Sequence, residues 1–211
     1  VRPTAVVTGG SGGIGGAVAA ELRGRGWQVV SLSRREGCDI SDEAQVRGAF
    51  GRIEHLDALI NCAAQLIKAP ILELTAADWD AQIDAGLRGA FLCSREAFRL
   101  MREDGGSIVM VSSLSGVAGA EKFPGMAAYV AAKSGLAGLA EALAVEGRPH
   151  GIRVNTISPG AVDTPMLRIA GVEGPRLQPA EVARIILWLA SPESAPLSGS
   201  NLRLDPADRA T

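Results

Sequence analysis

Tyr129 and Lys133 stand four residues apart in an alanine-rich stretch of helical spacing, so their side chains share one helix face. A phenol normally titrates near 10, too high for easy proton exchange at neutral pH, and an ammonium beside it stabilises the phenolate and lowers that value. The pair is chemistry for moving a proton on and off an oxygen. Tyr129 is also the single tyrosine of a chain whose aromatic content is 4%, and it follows a Ser112-Ser113 strand end, which argues against a merely packed ring. Near the start of the chain, Thr8-Gly9-Gly10-Ser11-Gly12-Gly13-Ile14-Gly15 joins an apolar strand to a helix. Glycines there allow positive φ and close backbone approach, and the free N–H groups of a helix start favour an anion such as a diphosphate.

The elements that must position these groups alternate. Short apolar runs at residues 5–7, 29–32, 56–60, 107–111 and 152–157 predict strands, and residues 201–204 a closing edge strand. Between them lie helical patterns. Thr75 and Asp78 form a capping signature ahead of Trp79, Ile83, Leu87, Phe91, Phe98 and Met101, which predicts one helix over residues 75–102. Further helices are expected over residues 129–146 and 179–190. Strands alternating with helices imply an α/β fold: a single Rossmann-like, doubly wound parallel sheet with helices on both faces, one domain over residues 1–211. Ligands bind such sheets beyond the strand C-termini, which points to residues 9–15, 33–35, 61–64, 112–113 and 158–164.

Composition narrows the classes. The 211 residues hold 47% hydrophobic and 21% charged side chains, a globular balance. A formal net charge of −2 gives no basic footprint for nucleic acid. Cys38, Cys62 and Cys93 form neither a disulfide framework nor a CxxC site, so a reducing cytoplasm is expected. His55 and His150 sit in no metal-ligand spacing, and no uninterrupted apolar run is long enough to suggest a membrane span.

Taken together, four elements resemble the short-chain dehydrogenase/reductase family and occur in its order along almost the whole chain. The glycine turn looks like TGxxxGxG, and Asn61-Cys62-Ala63-Ala64 resembles NNAG. Tyr129-Val130-Ala131-Ala132-Lys133 matches YxxxK, and Ser158-Pro159-Gly160 with Thr164 matches the PG segment. The resemblance implies an NAD(P)H-dependent oxidoreductase passing hydride between a nicotinamide and a small carbonyl or alcohol substrate. Ser113 would orient the substrate oxygen, Tyr129 would exchange the proton, and Lys133 would also hold the nicotinamide ribose. Ser113 is preferred to Ser112 because of its SxxG spacing to Gly116. Gly9, Ser11, Gly13, Ile14, Gly15, Asn61, Ala63, Pro159, Gly160, Val162 and Thr164 would hold the cofactor, Thr164 and the backbone near Val162 taking the carboxamide.

An acidic residue at the end of the second strand would favour NAD by binding both ribose hydroxyls. The chain has Ser33-Arg34-Arg35 there, and a guanidinium can grip a 2′-phosphate, so NADP(H) is favoured, with NAD(H) possible. Asp39-Ile40 resembles the pair that holds the adenine edge, although the helix usual before it is missing. Gly86 occupies the place of the family's helix asparagine, and residues 166–178 are short for a lid. Two alternatives follow: a nucleotide-binding sensor or interaction module with lost or reduced turnover, or an NAD-dependent dehydrogenase of a cyclic diol or alcohol. Residues 121–126, with Phe123, Met126, Met166, Leu167 and Ile169, suggest an apolar substrate pocket. By resemblance, the helices at 75–102 and 129–146 would build a homodimer or homotetramer, where the small residues Ala131, Ala137, Ala140 and Ala144 either allow close approach between subunits or pack on the sheet.

Overall fold

The computed structural model describes residues 2–205. Its chain runs β1 (Thr4–Thr8), α1 (Gly13–Gly24), β2 (Gln28–Leu32), α2 (Glu43–Phe50), β3 (Ala58–Asn61), α3 (Ala76–Ile83) and α4 (Gly89–Met101). It continues through β4 (Gly106–Val111), α5 (Ala127–Gly147), β5 (Ile152–Pro159), α6 (Pro165–Ala170), α7 (Pro179–Ala190) and β6 (Asn201–Leu204). All six strands are parallel, in the order β2-β1-β3-β4-β5-β6. Residues of β1, β3 and β4 are buried on both faces, which is why these segments read as unbroken apolar runs instead of alternating ones. Leu59, Ile108, Leu136 and Ala140 join the core on one face; Ile60, Val109, Val18 and Ile186 join it on the other.

The order reverses between β1 and β3, and a crevice opens there beyond the strand ends. Thr8 closes its floor by accepting hydrogen bonds at Oγ1 from the N–H groups of Cys62 and Ala63, at 3.0 and 3.1 Å. Gly9 has φ of +68°, and a Cβ there would stand 3.0 Å from the Ala63 backbone, so both conformation and space require glycine.

The long helix after β3 departs from a plain α-helix. Thr75 caps α3 by accepting from the Asp78 N–H, and its hydroxyl donates to the Asp78 carboxylate at 2.6 Å. Residues Asp84–Arg88 then form a π turn before α4 resumes. Gly86 is buried in that turn, where a Cβ would lie 3.3 Å from Ala132 of α5. The helix therefore tolerates glycine because α5 packs against it at that point.

Two helices escaped the sequence pattern. Asp42 caps α2 through the N–H groups of Ala44 and Gln45, and α6 is only six residues long. The stretch Ala127–His150 is long and apolar enough to cross a membrane by composition. In the fold, α5 packs on β5 with Tyr129, Lys133, Leu136, Ala140 and Ala144 buried, as a core helix does. Ala140 and Ala144 thus face the sheet and are not part of an outer face; the exposed apolar groups on α4 and α5 are Phe91 and Val145.

Candidate active site

A cleft of about 850 Å³ runs along the strand C-termini and contains most of the expected cofactor residues. Gly9, Ser11, Gly13, Ile14 and Gly15 line its middle, Ser33, Arg34, Asp39 and Ile40 one end, and Ala63, Tyr129, Lys133 and Thr164 the other. The Gly12 N-cap of α1 carries no side-chain cap, so the helix start faces the cleft with its N–H groups open to a ligand. Gly13, at φ +54°, lies opposite Thr164, whose methyl would be 3.5 Å from an added Cβ. A side chain at Gly13 would narrow the passage between the two ends. These features fit an extended dinucleotide with its diphosphate at α1.

Asn61 does not face this cleft. It is buried, its amide donating to Ser94 Oγ and Met110 Sδ, both at 3.2 Å, while Oδ1 has no hydrogen-bond partner. Its side chain braces the strand end from within, and Asn61 is not among the residues that line the cleft. Pro159, Gly160 and Val162 line a second cavity instead. Val162 bridges to Leu177 in parallel, and the bridge uses the Asp163 N–H and the Ala161 carbonyl. Val162's own N–H and C=O are therefore left outside that ladder.

At the β2 end the structure adds a group that the sequence reading passed over. Glu36 accepts hydrogen bonds from Ser33 Oγ at 2.6 Å and Ser31 Oγ at 2.7 Å, and these hold its carboxyl below the usual range. Ser33 lines the cleft, but its single hydroxyl hydrogen is committed to Glu36. A carboxylate thus returns to the strand end after all, three residues late. The Glu lies close because residues Arg34–Glu36 form one 3-10 turn, which folds position 36 back over position 33. Arg34 reaches across the cleft to Gln65 Oε1 at 3.4 Å, while Asp39 is held by Ser41 through its N–H and hydroxyl. Those two bonds lower the Asp39 pKa.

The residues expected to move a proton gather where the two cavities meet. Tyr129 lines both. Burial pushes its phenol up to about 12, against a downward pull from a hydrogen bond with Ser113. In this environment the phenol is a neutral acid, and the neighbouring ammonium has not lowered its pKa below the ordinary value. Lys133 Nζ lies 5.6 Å from the Tyr129 ring centre and donates to the Val111 carbonyl at 2.6 Å. Burial brings its pKa down to about 8.

The two serines are now separated. Ser112 Oγ donates to the Lys133 carbonyl at 2.7 Å and so fixes α5 to β4, whereas Ser113 bonds with the Tyr129 phenol and lines the second cavity. The SxxG spacing has a packing cause. Residues Leu114–Gly116 form a 3-10 turn against α5, and a Cβ on Gly116 would lie 2.7 Å from the Lys133 carbonyl carbon. Gly116→Ala should therefore push Lys133 away from Ser113, lowering turnover by about tenfold or more, since small misplacements of reacting groups are costly. Steady-state kinetics beside a thermal melt check this; unchanged turnover would refute the packing argument.

The second cavity, about 440 Å³, is walled by Leu66, Leu114, Phe123, Met126, Met166 and Leu167. Ile169 belongs to the larger cleft and is 54% exposed. Cys62 reads as a small buried group, its thiol pushed up to about 12 by burial, and Cys93 is raised further for the same reason. No disulfide joins the three cysteines, and no cluster suited to a metal occurs among the described residues.

A parallel sheet with a glycine turn at its switch point and a Ser–Tyr–Lys group beyond it defines a Rossmann-like fold. The chain belongs to the short-chain dehydrogenase/reductase family. The family model described as enoyl-(acyl carrier protein) reductase matches residues 35–206. The 3beta-hydroxysteroid dehydrogenase of Mediterraneibacter gnavus is 37% identical over 76% of this chain, which spans 66% of that protein. The acetoacetyl-CoA reductase of Allochromatium vinosum is 35% identical, with 94% of this chain and 95% of the relative covered. Ligand-free aldohexose dehydrogenase of Thermoplasma acidophilum has a like structure, with a TM-score of 0.89 at 26% identity over 100% of this chain and 97% of that one.

Proposed function

We propose that this chain is a nicotinamide-dependent oxidoreductase of a carbonyl/alcohol pair, with NADP(H) favoured, acting through Ser113, Tyr129 and Lys133. The reading is carried by the phenol of Tyr129, which meets Ser113 at the junction of the two cavities with Lys133 buried behind it. A nicotinamide bound at that junction supplies or accepts the hydride. Ser113 orients the substrate oxygen, and Tyr129 gives it a proton in reduction or takes one in oxidation. Lys133, protonated, steadies the phenolate left behind. The relatives act on both a hydroxysteroid and a CoA thioester by name, so the oxidoreductase class is supported more firmly than any one substrate. The exposed Phe91 and Val145 on α4 and α5 support a homo-oligomer through those helices, and the three free thiols suit a reducing cytoplasm.

Cofactor choice turns on the balance between Arg34 and Glu36. Arg34→Asp should weaken NADPH by about tenfold while leaving NADH within about twofold, because only the phosphate needs the guanidinium. Glu36→Gln should tighten NADPH by about three- to fivefold, since it removes a negative charge beside the phosphate position while keeping an oxygen that accepts from Ser33. Fluorescence titration with each cofactor reads both. A wild type that binds NADH more tightly would overturn the NADP(H) preference alone; binding of neither would overturn the enzyme reading.

The depressed Lys133 pKa sets a pH dependence. Lys133 loses its charge as pH rises through about 8, so reductive kcat/KM should fall about tenfold per pH unit above that value, while Tyr129 stays protonated. Through Lys133 alone the unfolded chain binds more protons than the folded one between about 8 and the ordinary lysine value of 10.5, a contribution that raises stability with pH. Above the ordinary thiol value of 9.0 the burial-raised Cys62 and Cys93 oppose it, because the unfolded chain gives up their protons first. A rate profile flat from neutrality to strongly alkaline pH would exclude Lys133 as the controlling group.

A further inference from the structure

The second cavity is apolar on its walls and acidic among its charged lining groups. Glu121, Glu173 and Asp205 line it and are exposed, against one exposed guanidinium, Arg203. Of the other nearby cations three are engaged elsewhere, while Arg168 on α6 is exposed beside the lining residues Leu167 and Ala170. Lys68 Nζ donates to the Ala170 carbonyl at 2.7 Å, and Lys122 Nζ to the Val117 and Ala120 carbonyls at 2.6 and 2.9 Å. Arg176 pairs with Asp163 at 3.8 Å. A thioester carrier brings a string of phosphates, which needs clustered guanidinium and ammonium groups along its path. This lining offers carboxylates in their place.

We propose that the substrate of this site is an uncharged, apolar ketone or secondary alcohol taken as the free small molecule, not an acyl thioester of CoA or of a carrier protein. The proposal rests on the oxidoreductase reading above. At about 440 Å³ the cavity has room for a ring or a branched alkyl skeleton, with Ser113 and Tyr129 among its polar lining groups beside Ser112, Ser115 and Thr164. In the reductive direction the carbonyl carbon gains a hydride and its π pair moves to oxygen. That oxygen takes the Tyr129 proton, and the nicotinamide passes from its reduced to its oxidised form. No charged substrate group is needed for the balance, and the apolar walls give an uncharged skeleton its binding energy.

The test is a kinetic comparison on the whole chain with NADPH and NADH, using cyclohexanone and cyclopentanone against acetoacetyl-CoA and acetoacetate. The expected result is a kcat/KM for at least one cyclic ketone that exceeds both anions by about a hundredfold at low salt. The gap for acetoacetyl-CoA should narrow as salt screens the carboxylates. The double variant Glu121→Gln, Glu173→Gln should raise the thioester-to-ketone ratio by about fivefold. Acetoacetyl-CoA reduced as well as or better than the ketones would overturn the proposal and leave the oxidoreductase reading in place. Tight cofactor binding with no reduction of any compound would overturn both, since the site would then lack turnover.

Discussion

Tyr129→Phe is expected to lower turnover by about a thousandfold while cofactor affinity stays within about threefold, because the general acid is lost and the cleft wall is kept. The ring is buried against Leu66, Met126 and Ala170, and phenylalanine preserves all of that packing. Only the hydroxyl goes, and with it the bond to Ser113. On the proposed mechanism substrate oxygen and proton donor meet at that point, so kcat should carry the loss and the melting temperature should hardly move. A burial-raised phenol makes the argument sharper: near pH 7 it is almost entirely protonated, so its proton is available for reduction. Stopped-flow or steady-state reduction of the best ketone, beside a cofactor titration, reads both quantities. Turnover kept within tenfold of the parent would remove Tyr129 from the mechanism.

Arg153→Met should cost about 3 kcal/mol or more of folding stability, enough to lower the melting temperature by about 10 °C in a chain of this size. Arg153 leaves β5 toward the end of α7, where its guanidinium donates to the carbonyls of Leu189, Ser191, Ser194 and Leu197 and to Ser194 Oγ, at 2.9 to 3.3 Å. Those carbonyls lie at a helix C-terminus and in the turn after it, where a cation complements the helix dipole. Methionine keeps most of the stem and removes every donor. Burial lowers the Arg153 pKa, yet the group stays charged at any ordinary pH. Because α7 packs along α1, the loss should loosen the helix that presents the diphosphate turn and weaken cofactor binding secondarily. A melt within 2 °C of the parent would show that water replaces these bonds.

The strands, the glycine turn and the Tyr129–Lys133 pair were legible in the sequence because each depends on local spacing. Four residues on a helix put two side chains on one face wherever the helix lies, and α7 begins and ends where its pattern placed it. Which hydroxyl meets the phenol was legible only through the SxxG spacing, whose cause, the Gly116 contact with α5, is tertiary. The π turn at Gly86 and the inward face of Ala140 and Ala144 depend on how α5 packs against the long helix and the sheet, and no periodicity carries that information. Asn61 looked like a cofactor ligand by its motif, yet its side chain turned inward to Ser94 and Met110, partners 33 and 49 residues away.

Sequence by itself therefore determined the order of the strands along the chain, the parallel sheet and the placing of Tyr129 and Lys133 on one helix, since these follow from apolar periodicity and residue type. Tertiary structure alone decided the charge around the two ends of the cleft. Glu36 reaches Ser33 only because a 3-10 turn folds it back, and Glu121, Glu173, Arg203 and Asp205 meet only because three separate segments converge on one cavity. Electrostatic influence follows distance through space, and distance through space is what chain order does not carry.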